Sequence, residues 1–139
     1  MNSRIPRVVM VTRETEYEML IARHATRGQA EFFLKSRGQT LNIIEKRHQL
    51  LTQTLSSIMA AIPKDWRRNH VKRHELDRFV FEPDDLVIVV GQDGLVANTA
   101  KYLNGQRVVG VNPDKDAYDG VLVPFSSQAA IHIFVACHV

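Results

Sequence analysis

A chain of 139 residues matches one domain and is long enough for a real core, since domains of this size bury roughly 70% of their unfolded surface. Apolar residues at 45% and charged residues at 24% exclude a disordered or fibrous chain, and a lone cysteine, Cys137, excludes an intrachain disulfide framework. No apolar run approaches the ~20 residues that cross a bilayer, and none of signal-peptide length precedes Arg13; a soluble, cytoplasmic protein with no membrane partner is expected.

The first element is Arg7-Val8-Val9-Met10-Val11, a β-branched run apolar enough to predict a strand covered on both faces. Thr15 followed by Glu18 predicts a capping box that opens a helix through about His24. Thr26 followed by Gln29 repeats that pattern and predicts a helix with Ala30, Phe33 and Leu34 on one face, stopping at Gly38. The two pieces are one kinked helix or two. Ile44, His48, Leu51, Leu55, Ile58 and Ile62, spaced four, three, four, three, four, predict an amphipathic helix ending at Pro63. His48 on that stripe reads as a core-edge histidine with a satisfied ring rather than a ligand or catalytic group.

From Lys64 to Arg78, six Lys or Arg stand against three Asp or Glu, an excess equal to the net +3 of the whole chain. Such a patch can bind nucleic acid or phosphate-bearing ligands. It lacks the aromatic interleaving of single-strand binders, and the expectation is a solvated helix face, with no nucleic-acid partner. Arg78 to Glu82 is either a brief strand or a packed connector, and Pro83 then punctuates the chain. Leu86 to Val90, five consecutive aliphatics, is the strongest strand in the sequence. Gly91 to Gly94 is the turn after it, Leu95 to Leu103 a helix closed by Asn104-Gly105, and Arg107 to Val111 the next buried strand. Strand, helix and strand with short joints imply a right-handed βαβ crossover and a parallel sheet. The predicted class is therefore α/β, a Rossmann-like open parallel sheet flanked by helices. Tyr118 to Phe125 reads as a turn into a further strand. The domain is placed at residues 1–125, and the apolar tail 126–139 is read as an edge strand or a truncation point, aggregation-prone unless paired.

The chemical centre is the turn Gly91-Gln92-Asp93-Gly94. In an open parallel sheet ligands sit beyond the carboxyl ends of the strands, where this turn falls. Glycines there let backbone approach a phosphate, and the following helix start offers free N–H groups and a partial positive charge. Asp93 repels phosphate, so an acidic residue here suggests a different role, such as accepting a proton from a sugar hydroxyl, binding a ribose, or helping to hold magnesium. The plain alternative is a tight turn in which Asp93 caps the helix. Gly110-Val111-Asn112-Pro113-Asp114 lies on the same rim, where Asn112 is placed to donate to and accept from a ligand hydroxyl or amide; its plain alternative is an Asn-Pro turn initiator.

These residues carry a resemblance. Asp85 to Phe125 resembles the N-terminal domain of the NAD kinase family, with a strand, a Gly-Gly-Asp-Gly-Thr turn, a helix, and a strand ending in Gly-Val-Asn. The matching residues are Gly91-Gln92-Asp93-Gly94-Leu95 and Val109-Gly110-Val111-Asn112. The resemblance implies an NAD kinase-type α/β domain transferring phosphate from ATP or another donor to the ribose hydroxyl of NAD, with Mg2+, to give NADP. Asp93 is then the catalytic or ribose-binding residue, and Gly91, Gln92, Gly94 and Asn112 bind the nucleotide. Two positions depart from the pattern: Gln92 replaces a glycine and Leu95 a threonine. The family's second, β-rich domain carries an Asn-Glu pair, and this chain has none. The expectation is a domain inactive alone without that C-terminal domain, in a chain that is either a fragment of a longer protein or a homo-oligomer that covers the apolar tail. The alternative is a non-catalytic nucleotide-binding or regulatory module. Lipid- and sugar-directed kinases share the glycine-rich turn, though the Gly-Val-Asn ending favours the NAD branch.

Overall fold

A computed structural model describes residues 5–113. The elements follow in the order β1 (Val8–Thr12), α1 (Glu16–His24), α2 (Arg27–Lys35), α3 (Leu41–Ala61), β2 (Arg68–Lys72), β3 (Leu86–Val90), α4 (Asp93–Ala100) and β4 (Arg107–Val111), with a 3-10 turn at Arg73–Glu75. The four strands form one all-parallel sheet in the order β2-β1-β3-β4. β1 and β3 are central, and every residue of both is buried. Their unbroken aliphatic runs suit a position with cover on both faces.

Chain direction decides which face each helix covers. From β1 the chain steps to one side, to β2; from β3 it steps to the other side, to β4. Right-handed crossovers then put the connections on opposite faces. Ile58 and Ile62, at the end of α3 and just beyond it, pack with Val8, Met10, Leu86, Ile88 and Val90 on one face. Leu95 and Val96 of α4, with Phe79 and Phe81 of the β2–β3 connector, pack with Val9, Val11, Val87 and Val89 on the other. The expected α/β class, with a parallel sheet between helices, is what the chain forms. α1 and α2 pack on each other and on α3.

Helix starts follow their capping residues. Thr15 Oγ1 accepts from the Glu18 N–H at 3.1 Å while Glu18 returns to the Thr15 N–H at 3.4 Å, so the predicted capping box is present. Thr26 accepts from the Gln29 N–H at 3.1 Å. Ala25 between them, at φ 70, breaks the path, so α1 and α2 are two helices. His48 bonds Thr15 Oγ1 through Nδ1 at 3.0 Å and stacks obliquely on Tyr17; its ring is satisfied, as expected.

The basic segment differs from expectation. Residues 68–72 are not a helix face but the parallel edge strand β2, with Val71 its one buried residue. Arg-Asn-His-Val-Lys lacks a readable alternation, and pairing with β1 fixes its conformation. Its cations are dispersed. Arg67 pairs with Glu82; Arg68 donates to the carbonyls of Met59, Pro63 and Trp66 around the end of α3, where helical carbonyls lack intrahelical donors; Lys72 reaches Glu18 at 2.6 Å. Residues 78–82 are a packed connector. α4 begins two residues earlier than predicted and ends at Ala100. The expected strand near Tyr118 and the 126–139 tail lie outside the described residues. Among the described residues no helix is long and apolar enough to cross a membrane.

Candidate functional site

The carboxyl ends of β1 and β3 are adjacent, and their onward connections leave to opposite faces, so the rim between them is open. Such a divergence point is where open α/β sheets hold ligands. A cleft of about 430 Å3 lies there, within the size range of small-molecule sites. Its walls come from the loop after β1, from α3, from the turn after β3 and from the end of β4.

Four of the five predicted site residues converge on this cleft: Gly91, Gln92, Gly94 and Asn112 all line it. The fifth, Asp93, is the first residue of α4. β4 is locked to the turn by the Gly91 N–H donating to the Val111 carbonyl at 2.9 Å, and that bond carries the buried Asn112 to the same rim. Asn112 is also engaged within the protein. The helix cap is Gln92 rather than Asp93, which corrects the plain reading of Asp93. Gln92 is extended and makes no side-chain capping bond. The Leu95 N–H donates to the Gln92 carbonyl at 3.0 Å, and the two N–H groups before it precede the first intrahelical acceptor.

The two glycines have different reasons. Neither takes a positive φ. A Cβ at Gly91 would meet Leu95 Cδ2 at 3.0 Å, so packing of the turn on its own helix favours a glycine there. A Cβ at Gly94 would meet no protein atom within 4 Å. Gly94 lines the cleft, where the absence of a side chain leaves the backbone open to approach. Leu95 is buried among the apolar residues under α4, so this position has gone to core packing rather than to a hydroxyl facing the rim.

Other residues of the cleft were not singled out by the sequence. Arg13, Glu14 and Glu16 follow β1, Arg47 comes from α3 and Arg73 follows β2. The signal was present in the polar triplet closing the first strand, but only the strand order brings that loop beside the turn after β3. Among the described residues no three His, Cys, Asp or Glu side chains gather as a metal site. A nucleotide's magnesium needs one or two protein carboxylates, the rest of its shell being phosphate and water, and Glu14 and Glu16 are in the lining, so the donor set fits that group. No protein-family model matches the chain, and no curated protein matches it.

Proposed function

We propose that the cleft binds a nucleotide and that the chain is an NAD kinase-like phosphotransferase domain, of the Rossmann-like type found at the N-terminus of that family. The observation that carries the reading is Gly94: a glycine on the cleft wall that neither backbone conformation nor packing requires. Support comes from the order β2-β1-β3-β4 and from the convergence of Gly91, Gln92, Gly94 and Asn112 at one opening.

In this reading the backbone of Gly91 and Gly94 lies along the phosphates, and the start of α4 meets their charge with free N–H groups. Asn112 orients a ribose or amide group from the β4 side. Asp93 accepts the proton of the ribose hydroxyl or holds that hydroxyl in line, and the protein's share of the rate comes from positioning and charge neutralisation. Magnesium, when bound with the phosphates, supplies further neutralisation of charge on the phosphoryl oxygens.

A non-catalytic nucleotide-binding module is the second reading. The burial of Leu95 favours it, because no hydroxyl stands at the position where the resembling family has threonine. Two measurements separate the readings. Melting with ATP, NAD and NADP at millimolar concentration raises the transition temperature on either reading, since ligand held only by the native state stabilises it. Formation of NADP, followed with a coupled dehydrogenase, occurs only on the first and falls at least tenfold in Asp93→Asn. Melting unmoved by all three nucleotides would sink both readings.

A further inference from the structure

The lining of the cleft that holds the glycine turn also carries two arginines, Arg13 after β1 and Arg73 after β2. Both are exposed. Several arginines outside the cleft are engaged, Arg7 with Asp85 and Glu82, Arg27 with Glu31 and Glu45, Arg67 with Glu82, Arg68 with carbonyls at the end of α3, whereas Arg23 on α1 makes no side-chain hydrogen bond or ion pair among the described residues. Arg47, the third arginine of the lining, also has a partner within the protein. Arg13 and Arg73 make no side-chain hydrogen bond or ion pair among the described residues. This holds although Glu14 and Glu16, the carboxylates of the lining, are one and three residues from Arg13.

Two unpaired guanidinium groups reach one cleft from neighbouring strand ends. A guanidinium offers a planar fork of N–H donors matched to phosphate oxygens. A single phosphate on the glycine turn needs only the backbone N–H groups there. A chain of phosphoryl groups starting at that turn has further oxygens to be met by donors in the same cleft, which Arg13 and Arg73 line. We infer that Arg13 and Arg73 form a clamp for the distal groups of a polyphosphate chain and so determine specificity for a triphosphate over a monophosphate. The chain is that of a nucleoside triphosphate or of inorganic polyphosphate. The inference rests on the nucleotide reading only in placing the near phosphate at Gly91–Gly94.

The test is calorimetric titration of the 139-residue chain with tripolyphosphate, ATP, AMP and NAD at fixed ionic strength. Wild type is compared with Arg13→Gln, Arg73→Gln and the double variant. Arg23→Gln, on α1 and outside the cleft lining, controls for charge alone. The clamp predicts about a tenfold loss of tripolyphosphate and ATP affinity for each arginine removed, the scale of one charged hydrogen bond, with AMP and NAD binding unchanged. Tripolyphosphate bound as tightly as ATP identifies the phosphate chain alone as the ligand; binding of ATP only adds the nucleoside. Equal losses in Arg23→Gln, or none in the double variant, overturn the clamp. Wild type that binds NAD but neither polyphosphate overturns the clamp and leaves the nucleotide reading standing. Arginine-dependent tripolyphosphate binding without NAD binding supports the clamp and removes NAD as the substrate.

Discussion

Gly91 and Gly94 sit three residues apart on one turn and answer to different forces. Adding a methyl group at Gly91 drives it against Leu95 Cδ2, and Leu95 is held in the core below α4. Gly91→Ala should therefore cost about 1 kcal/mol as a small overpacking defect. Gly94→Ala meets open space, and replacing glycine in a helical turn narrows the unfolded ensemble, so stability should rise by about 0.5 kcal/mol. Urea unfolding of the two variants should give shifts of opposite sign. If Gly94 is a ligand contact, its more stable variant also loses the nucleotide-induced rise in melting temperature. An unaltered rise would assign Gly94 no role in binding.

Among the elements, the connector from β2 to β3 is the one whose placement is least visible in its own residues. It has no regular structure after Glu75, yet it closes one face of the sheet through Leu76, Phe79 and Phe81. Electrostatics at the amino ends of β1 and β3 hold it. Asp85, 1% exposed, accepts two bonds from Arg7 at 3.0 and 2.7 Å and one from the Glu82 N–H at 2.7 Å. Arg7 also donates to the Val80 carbonyl and lies over the Phe79 ring. Asp85→Ala removes the centre of this cluster. Breaking a buried pair costs about 3–5 kcal/mol in typical cases, and because Glu82 remains near Arg7, the expectation is about 2–3 kcal/mol, measured as a fall in the denaturant midpoint. A loss near zero would mean that apolar packing alone fixes the connector.

For the whole molecule, the rim bearing the cleft is braced by ionisable groups shared between elements, and this sets a pH dependence. Lys72 on β2 meets Glu18 on α1 at 2.6 Å. The hydrogen bond that Lys72 donates to Glu18 holds its ammonium above the usual lysine range. Burial works to raise Glu18, but Lys72 and the Thr15 N–H outweigh it and hold the carboxyl below the usual range. His70, bonded to Thr12 at 2.7 Å, is held below the ordinary histidine value by desolvation and then by Lys72. Groups whose folded pKa is depressed bind more protons when unfolded, so the contributions of Glu18 and His70 are present at high pH and lost on acidification. Lys72 has the opposite sign, its contribution being lost only above about pH 10.4. Stability from these groups should therefore be flat from about pH 7 to 10, decline below about 6.5 as His70 titrates, and decline again below about 4.3 with Glu18. Lys72→Met should lower stability at pH 7 by about 1 kcal/mol, the upper end for a part-exposed pair. It should also shrink the further loss between about pH 5 and 3. An acid limb identical to wild type would mean that the Lys72–Glu18 pair contributes nothing to acid sensitivity.

By itself the sequence determined the two central strands, the helices capped by Thr15 and Thr26, the stripe of α3 and the strand–turn–helix around Gly91. Each of these is written in contiguous residues through aliphatic runs, capping chemistry or helical spacing, which act over one or two turns of chain. Tertiary structure alone decided that residues 68–72 are a strand, because Arg-Asn-His-Val-Lys has no strand pattern of its own and takes its conformation from β1. It also decided the cleft. The strand order puts the loop after β1 beside the turn after β3, and so brings Arg13 and Arg73 into one cleft with Gly91 and Gly94. The glycine turn could be read as a phosphate-facing feature from its own residues. The arginines that share its cleft could not, because the partners that would reveal their purpose lie on strands distant in sequence.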